Sequence, residues 1–123
     1  MKKFAILCVA VLSMIGVFFY DNSAMAYSQL KMINNTGKTI WWVYLVPKHY
    51  TNWGSDKLKG TWHTGNSLTL STEKWKYWSL KICFDVEQND YVYWDGDHAI
   101  DMDAVYQARI IPDGNGRYRL IYN

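Results

Sequence analysis

The sequence predicts an all-β domain, an antiparallel β-sandwich of about seven to eight short strands. Three observations lead there. Short segments rich in β-branched and aromatic residues alternate apolar with polar side chains, the period of a half-covered strand. Turn-forming clusters separate these segments at a spacing of roughly 8 to 12 residues. No stretch carries a sustained helical period with caps. A small closed β-barrel is the alternative arrangement of the same strands.

The first 26 residues read as a leader rather than as part of the fold. Lys2 and Lys3 form a positive start, Phe4 to Tyr20 is an almost unbroken apolar run, and Ala24-Met25-Ala26 is a small-x-small cleavage site. A retained membrane anchor is the competing reading of the run, which approaches spanning length. The position of the cleavage site favours a signal peptide over 1–26, removed to leave one domain over 27–123, exported to a periplasm or beyond the cell. Cys8 lies inside the apolar run without small residues before it, which argues against a lipid attachment site.

Ser28 to Asn34 alternates Leu30 and Met32 with Gln29 and Lys31 and is the expected first strand. Asn34-Asn35-Thr36-Gly37 has turn chemistry and feeds into Lys38–Pro47, so these two strands are expected to form a hairpin. The second strand is apolar on both faces, with Ile40, Trp42, Tyr44 and Val46 one way and Trp41, Val43 and Leu45 the other. That pattern places it in the middle of a sheet. Asn34-Asn35-Thr36 also fits a glycosylation sequon, although turn formation accounts for it.

Pro47 ends that strand, and Lys48 to Asp56 is a polar loop carrying His49, Tyr50, Asn52, Trp53 and Gly54. Leu58 to Trp62 can form a short edge segment. Thr64-Gly65-Asn66 turns into Ser67–Ser71, where Leu68 and Leu70 face inward. Thr72 to Lys76 connects, with room for one helical turn, to the best half-buried strand, in which Trp78, Leu80, Ile82, Phe84 and Val86 alternate with Ser79, Lys81, Cys83 and Asp85. Glu87–Asp90 is a hairpin loop into Tyr91–Trp94. An acidic connection over Asp95–Asp103, a strand over Val105–Ile111, a turn at Pro112–Gly116 and a last strand to Tyr122 complete the chain.

Charge is uneven along the expected domain. Residues 27 to 81 hold eight lysines and two acidic residues, and residues 82 to 108 hold seven acidic residues and no base. Such a split can steer a partner, but it lacks the single-signed basic face of a nucleic-acid binder. Cys83 is the one cysteine beyond the leader, so the domain has no internal disulfide; a buried, inert thiol is expected, with pairing between chains the alternative.

Five stretches in order resemble a family of small exported bacterial β-sandwich modules of uncharacterised role. They are Ile33-Asn34-Asn35-Thr36-Gly37, the strand ending Val43-Tyr44-Leu45-Val46-Pro47, Trp53-Gly54-Ser55-Asp56-Lys57-Leu58, the pair Phe84-Asp85, and Tyr91–Trp94. The resemblance covers roughly residues 30 to 111, and its most specific piece is W-G-x-D-x-L. It implies the fold and export and supplies no activity.

Four groups of residues are candidates for chemistry. Trp53, Gly54 and Asp56 set a ring, a flexible residue and a carboxylate on one loop, where Trp53 can stack on a sugar and Asp56 can orient its hydroxyls; capping of the sandwich and bonding of loop amides are the structural alternative. Trp41, Trp62, Trp75, Tyr91 and Tyr93 supply rings away from the expected core, suited to carbohydrate or a protein partner. The Asp95–Asp103 run has oxygen ligands for calcium but not the EF-hand spacing, so a solvated acidic edge is expected and no metal. His49, His63 and His98, with Ser55, Ser67, Asp56 and Asp97, form no nucleophile elbow, zinc motif or phosphate loop, and no catalysis is expected.

The reading is therefore a non-catalytic exported domain without a cofactor, binding a glycan or envelope component through Trp53, Asp56, Trp41 and Tyr93. The alternatives are an interaction or inhibitor-like domain for a folded protein, and a structural envelope protein without a ligand. No nucleic-acid partner is expected, nor any membrane association after cleavage.

Overall fold

A computed structural model describes residues 29–72, 75–103, 105 and 107–122. The expected leader over 1–26 lies outside the described residues. The described chain forms eight strands: β1 (Gln29–Asn34), β2 (Trp42–Pro47), β3 (Ser67–Ser71), β4 (Tyr77–Cys83), β5 (Tyr91–Trp94), β6 (Ile100–Asp101), β7 (Gln107–Pro112) and β8 (Tyr118–Tyr122). They make two packed sheets, one ordered β3-β1-β7-β8 and the other β2-β4-β5, with β6 also on β4. This is the expected all-β sandwich. Among the described residues no helix is long and apolar enough to cross a membrane.

One pairing departs from the antiparallel expectation, because β1 runs parallel to β7. Parallel neighbours need a long crossover, and here almost the whole second sheet lies between them in the chain.

The hairpin expected between β1 and β2 does not form, since the two strands lie in different sheets. Asn34 accounts for the departure. Its side chain is fully buried, and its Nδ2 donates to the Lys38 and Trp62 carbonyls at 2.9 Å each. Its Oδ1 accepts from the Thr36 amide at 3.0 Å and the Thr36 hydroxyl at 2.7 Å. The turn is thus tied to the Trp62 segment, and Gly37 (φ +80°) lets the chain leave toward the other sheet. The amide that the sequon reading would glycosylate is enclosed and fully bonded.

The core lies between the sheets, with Leu30 and Met32 of β1, Val43 and Leu45 of β2, Leu80 and Ile82 of β4, and Ala108 and Ile110 of β7. Fully burying a side chain such as Leu80 or Ile82 contributes about 2 kcal/mol. Ile40 and Val43 are both buried although three positions apart, so the alternation slips by one residue around Trp41. The expected segment at 58–62 reduces to a single bridge between Ile40 and Trp62.

Among the described strands β2 pairs only with β4 and is an edge strand, not a central one. Its free edge is closed by the following loop. Val43 N–H donates to Asp56 Oδ1 at 2.9 Å, and Lys57 N–H donates to the Val43 carbonyl at 2.7 Å. This loop-made closure protects an apolar edge that would otherwise template pairing with another chain.

Candidate functional site

The outer face of the β2-β4-β5 sheet gathers aromatic side chains by register. With Leu80 and Ile82 turned to the core, Ser79, Lys81 and Cys83 of β4 stand on the opposite face. The ladder sets Trp42, Cys83 and Tyr91 in one row, Tyr44, Lys81 and Tyr93 in the next, and Val46 beside Ser79. Tyr91 is 49% exposed and Tyr93 57%.

The Trp53 loop folds over this face. Gly54 holds φ +72°, and a Cβ there would sit 3.7 Å from Val46 Cγ1 on the strand below. Asn52 Oδ1 accepts from the Gly54 amide at 3.0 Å and tightens the bend. The loop thereby lays the half-buried Trp53 ring edge-on to Tyr93, with centroids 6.3 Å apart and planes at 65°. Tyr93 in turn stacks along Tyr91 at 6.3 Å and 29°. Beside them is a small recess of about 70 Å³ whose walls include Val46, Tyr50, Asn52, Trp53, Ser79 and Asp95.

Asp95 leaves the strand line after β5 and caps a single 3-10 turn, Gly96–His98. Its Oδ1 accepts from the Ser79 hydroxyl and, at 2.8 Å, from the Gly96 amide. These two donors, the Ser79 hydroxyl first, hold its carboxyl below the usual aspartate range. The recess therefore carries an ionised carboxylate at one end and rings along its rim. Lys81 stands between rings, its Nζ 4.6 Å from the Tyr91 centroid and 5.9 Å from that of Tyr44. The Tyr44 hydroxyl donates to Gln88 Oε1 at 3.0 Å, and burial raises its phenol pKa.

Compared with protein-family models, curated proteins and solved structures, the chain has no match. The site is therefore judged on its own geometry.

Of the four residues singled out from sequence, Trp53 and Tyr93 meet. Trp41, 40% exposed, donates its backbone amide to the Cys83 carbonyl, and among the described residues no ring contact joins it to Trp53 or Tyr93. Asp56 bonds the Val43 and Leu58 amides through Oδ1 and stands at the strand edge rather than in the recess. Sequence reasoning did not select Ser79, Trp42 or Tyr44, and met Asp95 only as part of the acidic run. The outward phase of β4 carried the signal for Ser79, the register sets Trp42 and Tyr44 further along the same face, and Asp95 joins through its bond to Ser79.

The remaining candidates separate. Asp101 Oδ1 accepts the Asp103 amide at 2.9 Å, Asp103 pairs with Lys76 at 3.3 Å, and Asp95 is held by Ser79. Among the described residues no three His, Cys, Asp or Glu side chains are grouped to hold a metal. His63 sits between the Thr39 and Thr61 hydroxyls, while His49 packs on Tyr50 and Trp75. His98 belongs to the 3-10 turn. Cys83 is fully buried, and burial pushes its thiol up.

Proposed function

We propose that this chain is an exported, non-catalytic module that binds a carbohydrate on the outer face of the β2-β4-β5 sheet. The observation that carries the reading is the edge-on pair Trp53–Tyr93 beside the Ser79-held carboxylate of Asp95. A pyranose offers an apolar face of C–H groups to a ring and a rim of hydroxyls to acceptors. The half-buried indole of Trp53 beside the exposed phenol ring of Tyr93, next to an ionised carboxylate, matches both. The leader-like first 26 residues support export, and the order of motifs supports grouping the chain with small exported bacterial β-sandwich modules.

The test is a tryptophan-fluorescence titration against a panel of oligosaccharides, repeated with Trp53→Ala and Tyr93→Ala. Saturable binding is expected, lost in both variants while their melting temperatures stay within a few degrees of the parent. No response to any saccharide, together with capture of an envelope protein that both variants fail to capture, would replace this reading with a protein-interaction domain.

A further inference from the structure

We infer that the binding track continues past Tyr50 to a second, basic subsite that takes the anionic group of an acidic saccharide. The saccharide part of this inference rests on the carbohydrate reading above; the anionic part rests on a different set of residues.

The walls of the Trp53 recess include Val46 and Tyr50. The same two residues line an adjoining recess that reaches Lys57, Thr72 and Trp75. Trp75 also lines a third, open recess of about 370 Å³ together with Lys48, His49, Lys76 and Tyr77. The three concavities thus adjoin through shared walls around the 48–53 loop. Their polar character changes along the way: Asp95 lines the first recess, Lys57 the middle one, and Lys48 and Lys76 the third, with Lys48 near enough to act on the Asp95 carboxyl.

The basic end is built around rings. Trp75 and Tyr77 are 40% and 42% exposed, and His49 tilts against Trp75 with centroids 4.5 Å apart. Trp78 Nε1 donates to the Trp75 carbonyl at 2.9 Å and so anchors that backbone to the core strand. The ammonium groups of Lys48 and Lys76 lie 5.3 Å and 5.1 Å from the Tyr77 ring centroid. Two cations converging on one ring repel each other. Among the described residues Asp103 is ion-paired with Lys76 and Asp101 also acts on that ammonium, Lys48 acts on the Asp95 carboxyl without forming an ion pair, and Lys57 takes part in no described ion pair. An anion between them relieves that repulsion, and the exposed rings supply the apolar floor for the sugar that carries it.

A second observation points to an occupant. Thr72 is fully buried, its hydroxyl has no hydrogen-bond partner among the described residues, and it lines the middle recess. A buried hydroxyl left unpaired is costly, so a ligand hydroxyl that reached it would supply a partner that the described residues do not.

The experiment titrates the purified protein with oligogalacturonate and its methyl-esterified form, and with a sulfated oligosaccharide and its desulfated form. Each pair differs in charge, and the two pairs separate a carboxylate from a sulfate source. We expect at least one acidic member to bind about tenfold more tightly than its neutral counterpart at low salt, a difference that Lys48→Gln/Lys76→Gln removes and Lys48→Arg/Lys76→Arg retains. Equal binding of charged and neutral members, or a preference that survives in the glutamine variant, overturns the basic subsite and leaves the Trp53–Tyr93 site standing. Absence of binding by every probe, with Trp53 fluorescence unmoved, overturns both.

Discussion

Asp56 and Val43 are joined by a side-chain-to-backbone bond of 2.9 Å that makes a loop serve as a strand. The same Oδ1 accepts the Leu58 amide at 3.1 Å, and the Lys57 amide returns a 2.7 Å bond to the Val43 carbonyl. Replacing Asp56 by alanine leaves the Val43 amide unpaired at the edge of β2. Hydrogen bonds to a charged acceptor contribute about 1.5–3 kcal/mol, so Asp56→Ala should lower unfolding stability by about 2 kcal/mol. Asp56→Asn keeps an oxygen in place and should lose about half as much. Urea denaturation checks both, and an unchanged midpoint for the alanine variant would show that the bond does not hold the edge.

Asn34 is the second clamp. Truncation to alanine takes one donor each from the Lys38 and Trp62 carbonyls, which keep the Thr36 hydroxyl and the Ile40 amide, and leaves the Thr36 amide without its acceptor. The expected loss is about 3 kcal/mol, as for other breaks in a buried polar network. Asn34→Asp should be nearly as damaging, because it turns a donor into an acceptor facing two carbonyls. Denaturant midpoints of the two variants test this, and an aspartate variant as stable as the parent would sink it.

Elements governed by local alternation were legible. Leu68 and Leu70 against Ser67, Thr69 and Ser71 mark β3 at its observed bounds, and Tyr91–Trp94 falls as expected, whereas β4 stops at Cys83 short of Phe84 and Val86, so the hairpin loop spans 84–90 instead of Glu87–Asp90. What escaped depends on where a side chain goes after the turn. Asn34 to Gly37 has hairpin chemistry, yet the Asn34 amide reaches the carbonyl of Trp62, far along the chain, and sends β2 to the other sheet. The two-faced apolar pattern of β2 suggested a central strand. Its outer face is covered instead at Val46 by the loop through Gly54, and its edge is closed by Asp56. The Trp53–Tyr93 pair shows the same limit, since its members come from a loop and a strand that only the β4–β5 register brings together. A composition rich in rings announces that some will reach the surface without saying which of them share a face.

Cys83 should be chemically silent in the folded state. It is fully buried on β4, with Sγ 3.9 Å from Gln88 Oε1, and burial raises its thiol above the usual cysteine range. Thiolate is the reactive form, so both access and ionisation oppose modification. An aromatic disulfide reagent at mildly alkaline pH should react at the rate of global unfolding and stoichiometrically once denaturant is added. Non-reducing electrophoresis should show a single-chain band. Fast labelling of the native protein or a reducible dimer would contradict the burial.

Asp95 supplies the pH signature of the site. The Ser79 hydroxyl and the Gly96 amide favour its ionised form, so its folded pKa lies below that of the unfolded chain, which is about 3.9. A depressed carboxyl contributes stability that is fully present above the unfolded value and disappears as pH falls through the folded one. The stability gap between the parent and Asp95→Asn should therefore be constant near neutral pH and close on the acid side of pH 4 or so. Ser79→Ala removes the larger cause and should move the Asp95 titration, followed by carboxyl-carbon NMR, back toward the ordinary range. If Asp95 also receives ligand hydroxyls, saccharide affinity must fall along the same acid limb, and Ser79→Ala must shift that limb upward with the carboxyl. A binding curve flat through the Asp95 titration would leave the carboxylate a structural cap for the Gly96–His98 turn and move the ligand's hydroxyls elsewhere on the face.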